Sequence, residues 1–195
     1  MFDETIDTDA IELLPAAHFD GEIVEIKSYR EVSRALRLLN GEKLLGFDTE
    51  TRPTFTANSL VHHKTALLQI AAENMVFLFR LPYCGVISDL AALLSNPNVV
   101  KVGVAVRDDI KGLQEYRSFY PSGFVDLQMM TEPLGIKEKS LKKIAAIVLN
   151  IRISKGQQLS NWDNHELTPA QRHYAALDAW ACREIYLKLR DCLRK

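Results

Sequence analysis

The chain has 195 residues, of which 47% are hydrophobic and 25% are charged, a mixture typical of one globular domain and unlike disordered or collagen-like sequences. Its formal net charge is −1 and its sequence pI is about 6.5, whereas a protein held on nucleic acid mainly by phosphate neutralisation is usually strongly basic. Composition therefore disfavours a tight, non-catalytic nucleic-acid binder, but it allows an enzyme whose carboxylates bind cations.

Cysteine content and the N-terminal residues bear on location. The three cysteines, Cys84, Cys182 and Cys192, form no CxxC pair, so neither a disulfide framework nor a thiolate zinc site is expected. No apolar run approaches the roughly 20 residues that cross a bilayer, and the chain begins with acidic residues instead of a basic patch. We expect a cytoplasmic protein in a reducing environment.

The first third of the chain predicts an acidic arm, a strand and a helix. Residues 1–21 contain six acidic residues and no Lys or Arg, and they are interpreted as a weakly packed or frayed N-terminal arm. The expected domain therefore comprises residues 22–195. The alternating sequence at 22–27 predicts an edge strand, and the capping box at 28–31 opens a helix that ends near residue 40.

Three apolar runs follow this helix. Residues 44–48 end in an acid and predict a buried strand whose C-terminal end opens into a site. Residues 66–72 and 75–79 predict a hairpin. The polar stretch at 51–64 is long enough for a substrate-facing loop.

The rest of the chain alternates before it becomes helical: a helix at 86–94, a strand at 99–104, a helix at 108–116, a strand at 124–127 and helices from 140 onward. The final helix begins with Thr168 as N-cap, Pro169 in the first turn and Gln171 closing a capping box. Strands early and helices late predict an α/β fold, with a mixed sheet flanked by helices.

The first acidic cluster lies at the end of the strand at 44–48. Asp48 and Glu50 are two positions apart, so their side chains lie on the same face. Two carboxylates that close repel each other unless a cation neutralises them, which indicates a site for a hard metal ion. Taken alone, the pair fits a solvated strand end somewhat better, because charged residues are common there.

Two further clusters accompany later helices. Asp108 and Asp109 follow the strand at 99–104, and taken alone they are better explained as caps of a first helical turn. Tyr174 and Asp178 are four apart in the final helix and share a face. Burying a lone carboxylate there would cost several kcal/mol, although a surface Asp beside a half-buried Tyr is the alternative.

Together these clusters resemble the three motifs of the DEDDy group of DnaQ-like exonucleases, which have a ribonuclease H-like fold. The likeness covers residues 22–190 and is greatest to the exonuclease domain of the Werner-syndrome helicase and to the catalytic domain of ribonuclease D. It rests on FDTET at 47–51, KVGVAVRDD at 101–109 and YAALD at 174–178, and also on ALLQI at 66–70, VDL at 125–127 and SNW at 160–162. It implies a 3′–5′ exonuclease that releases nucleoside 5′-monophosphates.

The resemblance also implies a role for each catalytic residue. Asp48, Glu50 and Asp178 would bind one divalent cation, Mg²⁺ or Mn²⁺; Asp48 would also bridge to a second cation, and Asp109 would complete that second site. Two cations roughly 3.5–4 Å apart would polarise water and stabilise the departing 3′ oxygen. Tyr174, together with Glu50, would orient the attacking water.

Substrate contacts are expected around this centre. Leu68, Gln69 and Trp162 would shape the terminal-nucleotide pocket, although Trp162 also fits a core position. His63, Lys64, Arg152 and Lys155 would contact the penultimate phosphates. The alternative for each is a solvated surface charge. The complete predicted substrate-binding set is Thr49, Thr51, Leu68, Gln69, His63, Lys64, Arg152, Lys155 and Trp162.

The expected partner is the 3′ end of a nucleic acid. The Werner-like features favour single-stranded or recessed DNA, while the ribonuclease D likeness favours RNA, and sequence does not reveal a 2′-hydroxyl contact. Two other classes compete: a catalytically inactive nucleic-acid-binding module, and a protein-interaction domain that uses residues 1–21. The first is disfavoured because all five catalytic positions are present, and deletion of residues 1–21 would test the second.

Overall fold

The fold is described from a computed structural model over residues 2–54, 62–154 and 156–193. In that part of the chain, six strands form one mixed sheet flanked by helices, which confirms the predicted α/β class. The elements in chain order are α1 (Thr8–Glu12), β1 (Glu22–Ile26), α2 (Tyr29–Leu38), β2 (Leu44–Thr51), β3 (Thr65–Ala71), β4 (Met75–Arg80), α3 (Leu81–Cys84), α4 (Ser88–Leu94), β5 (Val100–Gly103), α5 (Val106–Gln114), β6 (Phe124–Asp126), α6 (Leu127–Thr131), α7 (Leu141–Leu149) and α8 (Pro169–Leu193).

The sheet has the strand order β1-β4-β3-β2-β5-β6. The pairs β2–β3 and β3–β4 are antiparallel, and β1–β4, β2–β5 and β5–β6 are parallel. The predicted hairpin is therefore formed by β3 and β4. Strand β2, which carries the first acidic cluster, lies inside the sheet between β3 and β5.

Two hydrophobic clusters cover the two faces of the sheet. Leu67 and Leu68, successive residues of β3, belong to different clusters because strand side chains alternate between faces. The Leu67 cluster includes residues of α7 and α8, and the Leu68 cluster includes residues of α2, α4 and α5. All seven residues of β3 are buried, as expected for a strand covered on both sides.

A glycine in β2 brings α8 close to the sheet. A Cβ atom at Gly46 would overlap the backbone carbonyl oxygen of Ala179, so a larger residue would push the helix away. Since Asp178 precedes Ala179 and Asp48 lies two residues after Gly46, this close approach also brings the two carboxylates together.

The predicted helix starts are confirmed by their hydrogen bonds. The Thr168 amide donates to Gln171 Oε1 at 3.0 Å, and the Gln171 amide donates to Thr168 Oγ1 at 3.1 Å. At α2, the Glu31 amide donates to Ser28 Oγ at 3.4 Å, and the Lys27 amide donates to the Glu31 carboxylate at 2.7 Å. The bonds from the Gln171 and Glu31 amides satisfy first-turn donors that have no partner within the helix, and the reciprocal bonds fix the residues just before each helix.

Most predicted boundaries shift by one to three residues; β2, for example, continues to Thr51 instead of ending at residue 48. Two of the shifts occur at turns that are linked to each other. The helix predicted from residue 108 begins at Val106, after Ala105 in the left-handed region at φ 56°. The strand predicted to end at residue 127 ends at Asp126, because its carboxylate accepts from the Gln128 amide at 3.0 Å and caps α6. The same carboxylate accepts from the Ala105 amide at 3.1 Å, so it links both turns.

The N-terminal segment lies against the C-terminal half of the chain. Ile11 and Phe19 are buried. The Lys137 amide donates to the Glu4 carbonyl at 2.8 Å, and Ala17 and Arg152 are joined by a backbone hydrogen bond of 2.8 Å. These contacts show that the N-terminal segment packs against the domain and is not frayed at these residues. The domain division at residue 21 stays a prediction.

Of the helices in the described ranges, none has both the length and the apolar character required to cross a bilayer.

Candidate active site

Three carboxylates meet between the sheet and the longest helix. Asp48 and Glu50 lie on the face of β2 that packs against α8, and Asp178 lies on α8. Each offers an oxygen, and these oxygens all lie within 4.8 Å of one another. The two-residue spacing in the strand and the close approach at Gly46 together produce this cluster.

The cluster lines a cavity of about 370 Å³. Tyr174, one helical turn before Asp178, lies in its wall, and the first turn of α7 forms another part of the wall. The lining residues are Asp48, Thr49, Glu50, Val104, Ser140, Leu141, Lys142, Gln158, Tyr174, Asp178 and Cys182.

Burial makes the ionised state of these carboxylates unfavourable. It raises the pKa of Asp48 well above its ordinary value, and repulsion from Asp178, Glu50 and Asp109 raises it further. Burial, followed by repulsion from Asp178 and Asp109, raises the pKa of Glu50 to about 9. Burial raises the pKa of Asp178 to about 7, against a lowering by the Tyr174 hydrogen bond. The cluster can therefore be fully ionised near neutral pH only if positive charge is brought to it.

The donor set fits a hard divalent cation. Asp178 Oδ1 is buried and has no hydrogen-bond partner within the described ranges, which is unusual for a buried polar atom. Carboxylate oxygens suit Mg²⁺ or Mn²⁺ better than zinc, which prefers nitrogen and sulfur donors. A cation between Asp48, Glu50 and Asp178 would both satisfy that oxygen and offset the repulsion.

Asp109 reaches the cluster from the other side of β2. Its Oδ1 accepts a hydrogen bond of 2.5 Å from Thr49 Oγ1, and burial raises its pKa to about 6. Its charge acts on both Asp48 and Glu50, although its oxygens lie outside the group of three. The neighbouring Asp108 is instead exposed and pairs with Lys111 at 2.6 Å, so the geometry favours Asp109 as the functional residue.

Tyr174 is buried and faces the carboxylates. Burial raises the pKa of Tyr174 well above its ordinary value, and Asp178 and Glu50 raise it further. The hydroxyl is thus neutral, and Tyr174 lines the same cavity as Asp178. Its ring packs against Trp162 with 6.0 Å between ring centroids. His173, by contrast, packs against His18 with 5.2 Å between ring centroids.

Three residues predicted to shape a nucleotide pocket are fully buried. Leu68, Gln69 and Trp162 are each 0% exposed, so none offers side-chain surface for direct contact with a nucleotide. Gln69 pairs in register with Asp48 on the neighbouring strand, and both polar atoms of its amide are buried without a partner among the described residues. Trp162 could act on a pocket through Tyr174, against which its ring packs, and Gln69 could act through Asp48, its partner on the neighbouring strand. Leu68 packs in the cluster on the opposite face of the sheet.

The remaining predicted substrate residues are dispersed. Thr49 lines the main cavity, and Thr51 and His63 line a neighbouring cavity of about 360 Å³. Lys64 Nζ lies 5.3 Å from the centre of the Tyr116 ring.

Of the two cationic positions expected beyond residue 150, the described structure places Arg152. Arg152 pairs with Glu12 of the N-terminal segment at 3.4 Å, so its guanidinium is engaged there. Lys155 lies outside the described residues.

Sequence reasoning missed part of the cavity wall. Ser140, Lys142 and Gln158 line it, and Lys142 interacts electrostatically with Asp178. One signal was available, because Lys142 lies in the first turn of a helix, where the helix dipole disfavours a cation. A cation at such a position indicates an acidic neighbour from another part of the chain.

A comparison with protein families gives one match over most of the chain. The family model described as 3′–5′ exonuclease matches residues 23–194.

Individual relatives show the same pattern. The mouse bifunctional 3′–5′ exonuclease/ATP-dependent helicase WRN is 31% identical over 187 residues, which is 90% of this chain and 13% of that protein. Ribonuclease D of Haemophilus influenzae is 36% identical over 110 residues, or 55% of this chain and 27% of that protein. The chain thus spans about a quarter or less of the length of such curated relatives.

The architecture also matches solved structures. The EXO domain of Aedes aegypti Nibbler superimposes with a TM-score of 0.80 at 23% identity, and the match covers 92% of this chain and 93% of that one. At this identity the likeness establishes the shared fold.

Proposed function

Because the chain belongs to the 3′–5′ exonuclease family, we propose that it hydrolyses the terminal phosphodiester bond at the 3′ end of a nucleic acid and releases nucleoside 5′-monophosphates. The main support is the convergence of Asp48, Glu50 and Asp178, whose oxygens lie within 4.8 Å of one another in an open cavity. A site that existed only for stability would be poorly served by one buried and two half-buried acids held this close together.

The carboxylates are proposed to hold two divalent cations, Mg²⁺ or Mn²⁺. Asp48, Glu50 and Asp178 would bind the first, while Asp48 and Asp109 would bind the second from opposite sides of β2. Cations bound there would polarise the attacking water and stabilise charge on the departing 3′ oxygen. Thr49 fixes the Asp109 carboxylate through its hydroxyl, so it would help to orient that ligand.

Tyr174 is proposed to position the attacking water with Glu50. A neutral phenol both donates and accepts hydrogen bonds, and the raised pKa of Tyr174, caused mainly by burial, keeps the proton on its oxygen. The hydroxyl therefore orients a water molecule without removing its proton. The packing of its ring against Trp162 holds Tyr174 beside the cluster.

The proposed substrate is DNA with a single-stranded or recessed 3′ end, and RNA is the second candidate. The similarity to WRN supports the first candidate, and the similarity to ribonuclease D supports the second. With a net charge of −1, the domain would hold the phosphate backbone weakly, and we expect distributive, strongly salt-dependent digestion.

The test is digestion of 5′-labelled single-stranded DNA, recessed duplex DNA and RNA of matched sequence, with Mn²⁺ and with EDTA. We expect a ladder of products shortened from the 3′ end, nucleoside 5′-monophosphates as the small product, and no reaction in EDTA or with Asp48→Asn. If none of the three substrates is digested, or if cleavage persists in EDTA, the proposed function is contradicted.

A further inference from the structure

Arg80, the last residue of β4, is a fully buried arginine that joins the sheet to the loop before α8. Its Nη1 lies 2.7 Å from Glu25 Oε1 on β1 and donates to the His165 carbonyl at 3.4 Å. Its Nη2 donates to the Asn164 carbonyl. The guanidinium carbon also lies 5.3 Å from the centre of the Tyr83 ring. These partners offset the cost of burying the charge.

The loop held by Arg80 comprises residues 160–167 and is called the Trp162 loop below. It contains no regular helix or strand, and its residues 161 and 163–166 are exposed, whereas Trp162 is 0% exposed. Its other fixed point is Gln171 in the first turn of α8, whose Nε2 donates to Ser160 Oγ at 2.8 Å and to the Asn161 carbonyl at 3.2 Å. Side chains from β4 and α8 thus determine where the indole lies.

The indole of Trp162 packs against the ring of Tyr174, with 6.0 Å between ring centroids and 38° between ring planes. Tyr174 in turn lies one helical turn before Asp178 and lines the same cavity as the carboxylates. A shift of the Trp162 loop would therefore free the Tyr174 ring to move, and with it the hydroxyl that faces the carboxylates. Arg80 is connected to Tyr174 through one loop and one ring contact.

We propose that Arg80 is a positioning residue for hydrolysis, which holds Tyr174 in place through the Trp162 loop. This inference rests on the proposed function, since it concerns the water that Tyr174 would orient. Arg80 touches neither substrate nor cation. Its planar group contacts Glu25 and two loop carbonyls at once, which a lysine cannot reproduce fully.

The test is a double-mutant cycle between Arg80→Met and Tyr174→Phe, with kcat and KM measured at saturating Mn²⁺. Lys101→Met is the matched control. Lys101 is also 0% exposed, and its Nζ donates to the carbonyls of Leu93, Asn96 and Val99. The Lys101→Met substitution therefore removes a comparable buried cation that holds a loop, but this loop has no described contact with Tyr174.

We expect Arg80→Met to lower kcat on the order of tenfold to a hundredfold, because small misplacements of a positioning group have effects of that size. KM and Mn²⁺ affinity should not change. In the Tyr174→Phe background the same substitution should alter kcat by less than about twofold, since the two residues act through one interaction. Arg80→Lys should recover part of the lost kcat.

Lys101→Met should lower the Tm without changing kcat in either background. The proposal would be overturned if Arg80→Met lowered kcat by the same factor in the wild-type and Tyr174→Phe backgrounds. It would also be overturned if Lys101→Met lowered kcat as much as Arg80→Met does. If Arg80→Met does not fold, Glu25→Gln weakens the same clamp while keeping the arginine, and it is expected to show the same dependence on Tyr174.

A second measurement is independent of hydrolysis. In a Trp180→Phe background the intrinsic fluorescence reports Trp162 alone, since the chain has two tryptophans. Arg80→Met should shift this emission to longer wavelength by admitting water to the indole, and Lys101→Met should leave it in place. An unshifted emission would overturn the link between Arg80 and the loop, whereas an inactive wild-type chain with a shifted emission would overturn only the proposed function.

Discussion

Replacing Glu50 by glutamine tests how far repulsion in the metal-free site destabilises the fold. Burial, followed by repulsion from Asp178 and Asp109, raises the pKa of Glu50 from 4.5 to about 9. Between these values the unfolded chain ionises this residue while the folded chain keeps it protonated. The free energy of unfolding is therefore highest, with respect to Glu50, below about pH 4.5, and it falls as the pH rises toward about 9.

The magnitude follows from the same pKa values. Each pKa unit corresponds to about 1.4 kcal/mol, so a single isolated group would lower the free energy of unfolding by about 4 kcal/mol between about pH 4.5 and 7.5. Asp48 and Asp178 share part of this repulsion, and we therefore expect about 2–4 kcal/mol for Glu50 itself. Glu50→Gln has no such ionisation, so it should be more stable than wild type at neutral pH and equally stable near about pH 4.5.

The assay is urea unfolding of both proteins in EDTA across this pH range, with Glu22→Gln as the control, because Glu22 is an exposed glutamate on β1. The stability difference between wild type and Glu50→Gln should grow with pH, and the control should follow wild type. Added Mn²⁺ should stabilise wild type more than the variant. A difference that stays constant with pH would refute the electrostatic account of the cluster.

Three further substitutions test individual roles. Asp178→Asn should abolish hydrolysis while the near-ultraviolet circular dichroism stays native, and retained Mn²⁺-dependent cleavage would remove Asp178 from the site. Tyr174→Phe should lower kcat about 10- to 100-fold with unchanged Mn²⁺ affinity, as for loss of a water-positioning group; an unchanged kcat would assign that task elsewhere. Asp109→Asn should lower kcat strongly, whereas Asp108→Asn, at the exposed neighbouring position, should match wild type; the reverse order in steady-state assays would show that the wrong aspartate has been chosen.

Much of the fold was predictable because its signals are local. The capping boxes at Ser28 and Thr168 depend on residues three positions apart, and the corresponding bonds are present. Strand alternation placed Asp48 and Glu50 on one face without knowledge of their neighbours. By contrast, the Asp126 carboxylate also accepts from the Ala105 amide, 21 residues earlier, and no local pattern reveals such a bond.

The family resemblance supplied long-range information about the candidate site. Residue chemistry alone left Asp109 as a helix cap, and the resemblance selected it over Asp108; its role stays a prediction, and its bond to Thr49 across 60 residues could not be read from a local pattern. Contacts outside the shared motifs were missed or misplaced. Arg152 was expected at phosphates but pairs with Glu12, because the position of the N-terminal segment depends on tertiary packing.

The most direct test of the central claim is Mn²⁺ binding, measured by calorimetry near neutral pH on wild type and Asp48→Asn. Asp48 is proposed to contact both cations, so wild type should bind two Mn²⁺ ions per chain and release protons on binding, while the variant should lose both sites. Equal binding by the two proteins would contradict the proposal that this cluster holds the catalytic cations.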